Sequence, residues 1–424
     1  MGAIQPIVTI SRRGAERIGA GHVWVYRSDV VQAEGVAPGS VVTLREDRGR
    51  GARATLGSAL YSSASEIALR MISRVPVTDI HQLVRERIRA AVAYRDRFVR
   101  DTNAYRVIFS EGDFLPGLIV ERYNDILSLQ VLTQAMDSPE MRATVIDELK
   151  LGLEPRAIVE RVDARVRRLE QLEEKESGLV WQGASTIEGG ATDVSPVEEN
   201  QQVGRGRPTP HQQLTIEFQM NGVRFLFDAL GGQKTGAFLD QRENYAATGQ
   251  YARGEALDVF CYQGGFALHL ARACEKVTGV DSARAALEAA EQNATLNGHE
   301  LEWIEANAFD LLRDYSDASK KYDCIVLDPP AFARSKRDLA TALRGYKELN
   351  LRALKMLRPG GILVTCSCSY HVGPQTFLET IQAAARDSHR NLRILENRGA
   401  AKDHPSVLGI PETAYLKCLI ADVS

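Results

Sequence analysis

From about Leu214 to its last residue the chain repeats one local pattern, a short β-type run followed by a helical stretch. The runs are EALDVF, KVTGVD, LEWIEA, YDCIVLD, GILVTC and YLKCLIADV. Parallel strands need a crossover long enough to hold a helix, so this alternation predicts a mainly parallel, doubly wound α/β sheet. In such a sheet ligands bind beyond the carboxyl ends of the strands, and functional residues are sought at that edge. A hairpin-like segment, LTIEFQMNGVRFLFD, turning at Asn221-Gly222, leads into the pattern.

The full 424 residues exceed what one core usually serves, which allows about two or three domains. Residues 1–76 read as a small β-barrel, with runs such as VWVY, SVVTL and IALRMI broken by Gly- and Pro-containing turns. The segment RRGAERIGAGHVWVYRSDV, with Gly21-His22, Trp24 and Tyr26, resembles the opening of PUA domains, small RNA-binding pseudo-barrels. Residues 77–184 read as a small α+β domain. It opens with a basic amphipathic helix in HQLVRERIRAAVAYRDRFVR, then carries strands YRVIFS, GLIVERYN, ILSLQVL and AIVERV and a helix near 138–150. Residues 185–213, rich in Gly, Pro, Ser and Gln and without an aromatic ring, read as a flexible insertion. Residues 214–424 make up the doubly wound domain.

Charge is distributed unevenly. The net charge is -3, yet residues 1–100 hold 16 Arg, no Lys and only nine acids. Arginine forks suit phosphate, so this end is the expected polyanion contact, with the arginines of residues 85–100 as candidates. The six cysteines all lie in the C-terminal half and none forms a C-x-x-C pair, which predicts neither a disulfide framework nor a metal site. Reduced thiols, no apolar run of about 18 residues and no secretory start give the expectation of a cytoplasmic protein without a membrane partner.

The strand EALDVF runs into CYQGGFALHLARAC, which places Asp258, Phe260, Tyr262, Gly264, Gly265 and Phe266 around the first strand-to-helix loop. Glycines there let a ligand approach the backbone. The loop is not a G-x-G-x-x-G phosphate cradle, and no P-loop is present, so a nicotinamide dehydrogenase or an ATPase is poorly supported. The next strand ends at Asp281, followed by Ser282, 23 residues after Asp258. That is near the ~20-residue spacing at which an acid accepts ribose hydroxyls. A third strand ends in Asn307-Ala308-Phe309, where an amide can pair with an adenine edge and a ring can cover its face. The ordered succession predicts a nucleoside cofactor. After the fourth strand, Asp328-Pro329-Pro330-Ala331-Phe332 forms a stiff loop that aims a carboxylate and carbonyls into the site.

LDVFCYQGGFALHLA, GVD, LDPPAF and PGGILVTCSCSYH together resemble class I methyltransferases of the large-subunit ribosomal RNA methyltransferase I family. KTGAFLDQREN resembles the segment that precedes the family's cofactor domain, and RGAAKDHP its C-terminal loop. The resemblance spans nearly the whole chain except the insertion. It implies a Rossmann-like domain binding S-adenosylmethionine, preceded by PUA-like and α+β domains, and an activity forming 5-methylcytosine in 23S ribosomal RNA. A homodimer is compatible with it. In KTGAFLDQREN, Lys234, Phe238, Asp240, Gln241 and Arg242 are expected to bind the cofactor's amino-acid end or shape the pocket.

Cytosine C5 chemistry needs a thiolate to add at C6. The T-C-S of Thr365-Cys366-Ser367 matches the nucleophile motif of RNA 5-methylcytosine enzymes and makes Cys366 the first choice. Cys368, expected to face the same side by strand periodicity, is the alternative nucleophile or a proton-transfer neighbour. Two-cysteine enzymes of this chemistry carry a cysteine after the Asp-x-Pro loop, where this chain has Ala331. Asp328 is the expected partner of the base, Pro330 and Phe332 its surface, and His404 its border. Two other functions remain: the same fold methylating a guanine or an exocyclic nitrogen without a covalent intermediate, and a non-catalytic RNA-binding protein.

Overall fold

A computed structural model describes residues 5–47, 53–183, 214–230, 236–333 and 335–424. The 185–213 insertion and Lys234 lie outside the described residues. A six-stranded sheet, in the order Trp24–Tyr26, Ile67–Ser73, Arg53–Tyr61, Val41–Asp47, Ile7–Ile10 and Val30–Gln32, curls around Val8, Ile10, Val25, Val42, Leu44 and Leu69. A helix, Arg12–Gly19, is capped by the Ser11 hydroxyl, which accepts the Gly14 N–H.

The next sheet has five strands: Gly178–Gln182, Ala157–Glu160, Ile126–Val131, Leu118–Tyr123 and Ala104–Phe109. Helices Ile80–Phe98 and Pro139–Leu153 pack on each other, and Val84, Ile88, Met141 and Val145 share a core with the strands' Val107, Val120 and Leu129. Three of the six arginines at 85–100 are tied to internal acceptors, while Arg97 and Arg100 are exposed. Arg95 is fully buried, paired with Asp113 and donating to the Asp403 carbonyl at 2.7 Å. Arg87 donates to the carbonyls of Phe114 and Ile72, and Arg89 pairs with Glu148 at 2.6 Å. These guanidiniums hold elements together, because each finds an internal acceptor that the linear pattern does not reveal.

The hairpin joins Thr215–Met220 to Val223–Asp228 with Asn221 and Gly222 at φ 52° and 79°, the left-handed pair that a two-residue turn requires. Its Phe227 stacks on Tyr123 of the five-stranded sheet, ring centroids 3.9 Å apart.

The C-terminal sheet has seven strands, β1 (Glu255–Val259), β2 (Lys276–Asp281), β3 (Glu302–Glu305), β4 (Tyr322–Leu327), β5 (Leu357–Ser367), β6 (Leu392–Arg398) and β7 (Lys417–Val423). They lie in the order β3-β2-β1-β4-β5-β7-β6, parallel except for β7, which slots antiparallel between β5 and β6. Alternate residues feed two cores. Ala256, Val326, Val364 and Cys366 pack with helices α1 (Arg242–Tyr251), α2 (Gly265–Leu270) and α3 (Arg284–Leu296). Leu257, Ile325 and Leu363 pack with α4 (Ala308–Asp317), α5 (Leu339–Met356) and α6 (Pro374–Asp387) on the other face. The order reverses between β1 and β4, so a crevice opens at their carboxyl ends.

Candidate active site

Three loops meet at that crevice. In the first, Phe260, Tyr262 and Gly264 all have positive φ, at 69°, 49° and 82°. Two non-glycine residues held there fold the loop back so that the amides of Phe260 and Cys261 both reach the Val280 carbonyl, at 2.9 and 3.0 Å. Gly265 opens α2, and a Cβ at this position would sit 2.5 Å from the Tyr245 ring, so only hydrogen lets α2 pack on α1. Phe266, expected at the cofactor, is buried instead, edge-on to Tyr245 with ring centroids 4.7 Å apart. The helix turns it inward, so its side chain belongs to the core.

Asp281 stands at the end of β2 and accepts the amides of Tyr262, at 3.0 Å, and Ala283, at 2.9 Å, one on each oxygen. That fixes the carboxylate while its remaining lone pairs stay free for ribose hydroxyls. Ser282 beside it is exposed. Asp258 lies deeper: Oδ2 accepts the Ala267 amide at 2.8 Å, whereas Oδ1 is buried without a partner. Burial, reinforced by the charges of Asp328 and Asp281, pushes its carboxyl up to about 8 despite that amide. A free acceptor under a glycine loop suits a ligand N–H or O–H, and the whole set fits a nucleoside sulfonium.

Asn307 caps α4, its side-chain oxygen accepting the Phe309 amide at 2.9 Å, which leaves only the NH2 for a ligand. Ala308 is buried behind it. Phe309 is exposed and lies 5.9 Å from Phe332, which in turn meets Tyr346 at 4.8 Å. The pair makes an aromatic wall on one side of the crevice. On the other, the exposed Phe238 ring meets Tyr262 at 5.0 Å.

The Asp328-Pro329-Pro330 loop sits between these walls. Gln241 donates to Asp328 Oδ1 at 2.9 Å and is itself oriented by Asn244, which donates to its oxygen at 2.6 Å. Burial and the charge of Asp240 push the Asp328 carboxyl up to about 7, against the Gln241 hydrogen bond. Asp240 accepts the Tyr415 hydroxyl at 2.6 Å. Arg242 faces away from the crevice and pairs with buried Asp403 at 3.2 Å. Burial works against the Asp403 charge, but His404, Arg242 and the Arg106 amide hold its carboxyl well below the usual range. His404, expected at the nucleotide, is 3% exposed and packs on Phe109 at 5.1 Å. It anchors the C-terminal loop to the five-stranded sheet and does not border the crevice.

The two central thiols occupy different environments. Cys366, inside β5, is fully buried opposite Cys418 of β7. Burial and that neighbouring thiol push it well above its ordinary value. Cys368 lies beyond the end of β5, where strand alternation no longer applies, and is only partly buried. Its sulfur donates to the Pro329 carbonyl at 3.9 Å, in the same loop as Asp328. Burial, Asp328 and Asp240 push it up to about 12, against Lys417.

Lys417, Tyr415 and Asn244 drew no notice in the sequence. The one available sign was a lysine opening the otherwise apolar strand KCLIADV.

A model of S-adenosylmethionine-dependent methyltransferases matches residues 201–420, and a model of PUA-like domains matches residues 8–74. Ribosomal RNA large subunit methyltransferase I of Photobacterium profundum is 34% identical over 407 residues, covering 93% of this chain and 94% of its own. The protein of the same name from Tolumonas auensis is 35% identical, with 94% of each chain covered. That of Erwinia tasmaniensis is 36% identical, with 93% and 94% covered. Among solved structures, a candidate methyltransferase in complex with SAH superposes with a TM-score of 0.77 at 17% identity, covering 98% of this chain and all 100% of that one. A second, from Streptococcus mutans, gives 0.76 at 18% identity, with 98% and 100% covered. Both extend the likeness of fold from the catalytic sheet to the whole chain. No helix among the described residues is long and apolar enough to cross a membrane.

Proposed function

The chain belongs to the ribosomal RNA large subunit methyltransferase I family, and from that premise we propose that it methylates carbon 5 of a cytosine in 23S ribosomal RNA through a cysteine–base adduct. The family is S-adenosylmethionine-dependent, and the bound cofactor supplies a methyl group carried on a sulfonium. Asp281 and the 260–265 loop would hold its nucleoside, with the Asn307 amide and Phe309 at the base. The PUA-like sheet is the expected RNA-handling part.

The observation that carries the reading is a thiol against the Asp-Pro-Pro loop: the Cys368 sulfur, just beyond β5, meets the Pro329 carbonyl, with Asp328 one residue before that proline. We therefore move the nucleophile from Cys366, the first choice on motif grounds, to Cys368. Cys366 is fully buried in the core beneath α1 and α2, whereas Cys368 is partly exposed beside the loop. As thiolate, Cys368 would add to cytosine C6 and leave C5 electron-rich, ready for the methyl group that the bound cofactor would supply. Asp328, its carboxyl pushed up to about 7 by burial and Asp240, donates a proton to N3 as the ring accumulates charge. Loss of the C5 proton to a base and return of the N3 proton to Asp328 then restore the double bond and expel Cys368 as thiolate. Phe332 offers a face for the extruded ring.

The test uses RNA carrying 5-fluorocytosine, whose C5 fluorine blocks the final elimination. Wild type and Cys366→Ala should form an adduct with the RNA that survives denaturing electrophoresis, and Cys368→Ala should not. Full methyl transfer by Cys368→Ala without any adduct would point to a guanine or an exocyclic nitrogen instead. Absence of saturable binding heat with S-adenosylmethionine would leave only an RNA-binding role.

A further inference from the structure

Lys417 is the first residue of β7, in register with Ser367 on β5, and 5% exposed. Its ammonium donates to two backbone carbonyls, Ser369 and Tyr415, each at 2.7 Å. Burying an ammonium is costly unless a negative group shares its surroundings. Here its hydrogen bonds go to neutral carbonyls, so its charge is met by dipoles only. Burial accordingly pulls its ammonium down to about 8. Ser369 directly follows Cys368, so the lysine grips the short segment that carries the thiol.

The groups around Cys368 come from five elements. Asp328 lies after β4, Asp240 in the turn Leu239–Gln241, Tyr415 just before β7, Tyr346 on α5, and Lys417 on β7 itself. The two carboxylates oppose a thiolate, and the tyrosines carry no charge at neutral pH. Lys417 is the cation among them.

We infer that Lys417 is the counter-charge of the Cys368 thiolate, a positioning residue that favours its ionisation against burial and the two carboxylates. The step it favours is ionisation of the Cys368 S–H, whose proton passes to solvent while Lys417 keeps its own. The buried ammonium then gains the anion it lacks. Asp328 acts as the counterweight: once protonated by its raised affinity, it ceases to repel the thiolate, so donor and nucleophile are prepared together. This rests on Cys368 being the nucleophile of the proposed reaction.

The experiment is alkylation of the full-length protein by iodoacetamide between pH 7 and 9, without RNA, with modification at Cys368 followed by peptide mass mapping. Lys417→Met should slow alkylation of Cys368 about tenfold at pH 7, the scale of one charge removed from a partly solvated site. Lys417→Arg should restore most of the rate, and Asp328→Asn should raise it. Lys417→Gln, which can still donate to a carbonyl, reads the same loss of charge should the methionine variant fail to fold. An unchanged rate in the neutral variants overturns the inference. So does a faster rate in Lys417→Gln, since general loosening exposes thiols regardless of charge. The fluorinated-RNA adduct test depends on no alkylation, so failure of one proposal is distinguishable from failure of the other.

Discussion

Replacing Asp328 with Asn should stabilise the protein at alkaline pH and leave it unchanged in acid. The carboxyl rises from 3.8 to about 7 in the folded chain, with burial the main cause and Asp240 the second. Between those values the folded state keeps a proton that the unfolded chain has released. Stability therefore falls as pH climbs from about 4 to about 7, and the loss is complete above the folded value. A shift of about three units corresponds to about 4 kcal/mol at most. Partial exposure at the crevice and competition with Asp258, whose carboxyl is also raised, reduce this to about 2 kcal/mol. Asn keeps the acceptor oxygen that Gln241 uses and carries no charge at any pH. Thermal melts at pH 8.5 should place Asp328→Asn about 4–8 °C above wild type, a gap that closes by pH 4. The same variant should lose most methyl transfer, since the amide cannot supply the N3 proton. A gap of equal size at both pH values, or a variant less stable at pH 8.5, would refute an ionised Asp328 held in a costly environment.

Arg95→Met should be among the most damaging single changes outside the crevice. It strands buried Asp113 and removes the tie to the Asp403 carbonyl, costing about 3–5 kcal/mol by urea unfolding. Gly265→Ala drives a Cβ to 2.5 Å from the Tyr245 ring and should cost about 1–3 kcal/mol of stability. Calorimetry should show S-adenosylmethionine affinity falling with it, because α2 and the loop before it must move.

Much of the architecture was legible because it rests on local periodicity. Strand-helix alternation after residue 214 needs a doubly wound sheet whatever its neighbours do, and Asn221-Gly222 can turn a hairpin with no outside help. The positions of Asp281 and Asp328 followed from the same logic, since strand ends converge at one edge. What local pattern did not give was the facing of certain side chains for which long-range partners compete. Phe266 and His404 looked available and are packed inward. The arginines of the helix Ile80–Phe98 looked like a phosphate-binding stripe, yet Arg87, Arg89 and Arg95 are committed to acceptors from other segments.

The two cysteines show where that line falls. Their spacing and their place near the end of a strand are properties of the chain read one residue after the next. That Cys366 is fully buried in the core while Cys368 is only partly so is decided by helices and strands from elsewhere in the chain, with β7 returning antiparallel beside β5 to set Cys418 opposite one and Lys417 near the other. A strand arriving from fifty residues downstream leaves no periodic trace at the site it completes, so burial and charge there are decided only when the sheet closes.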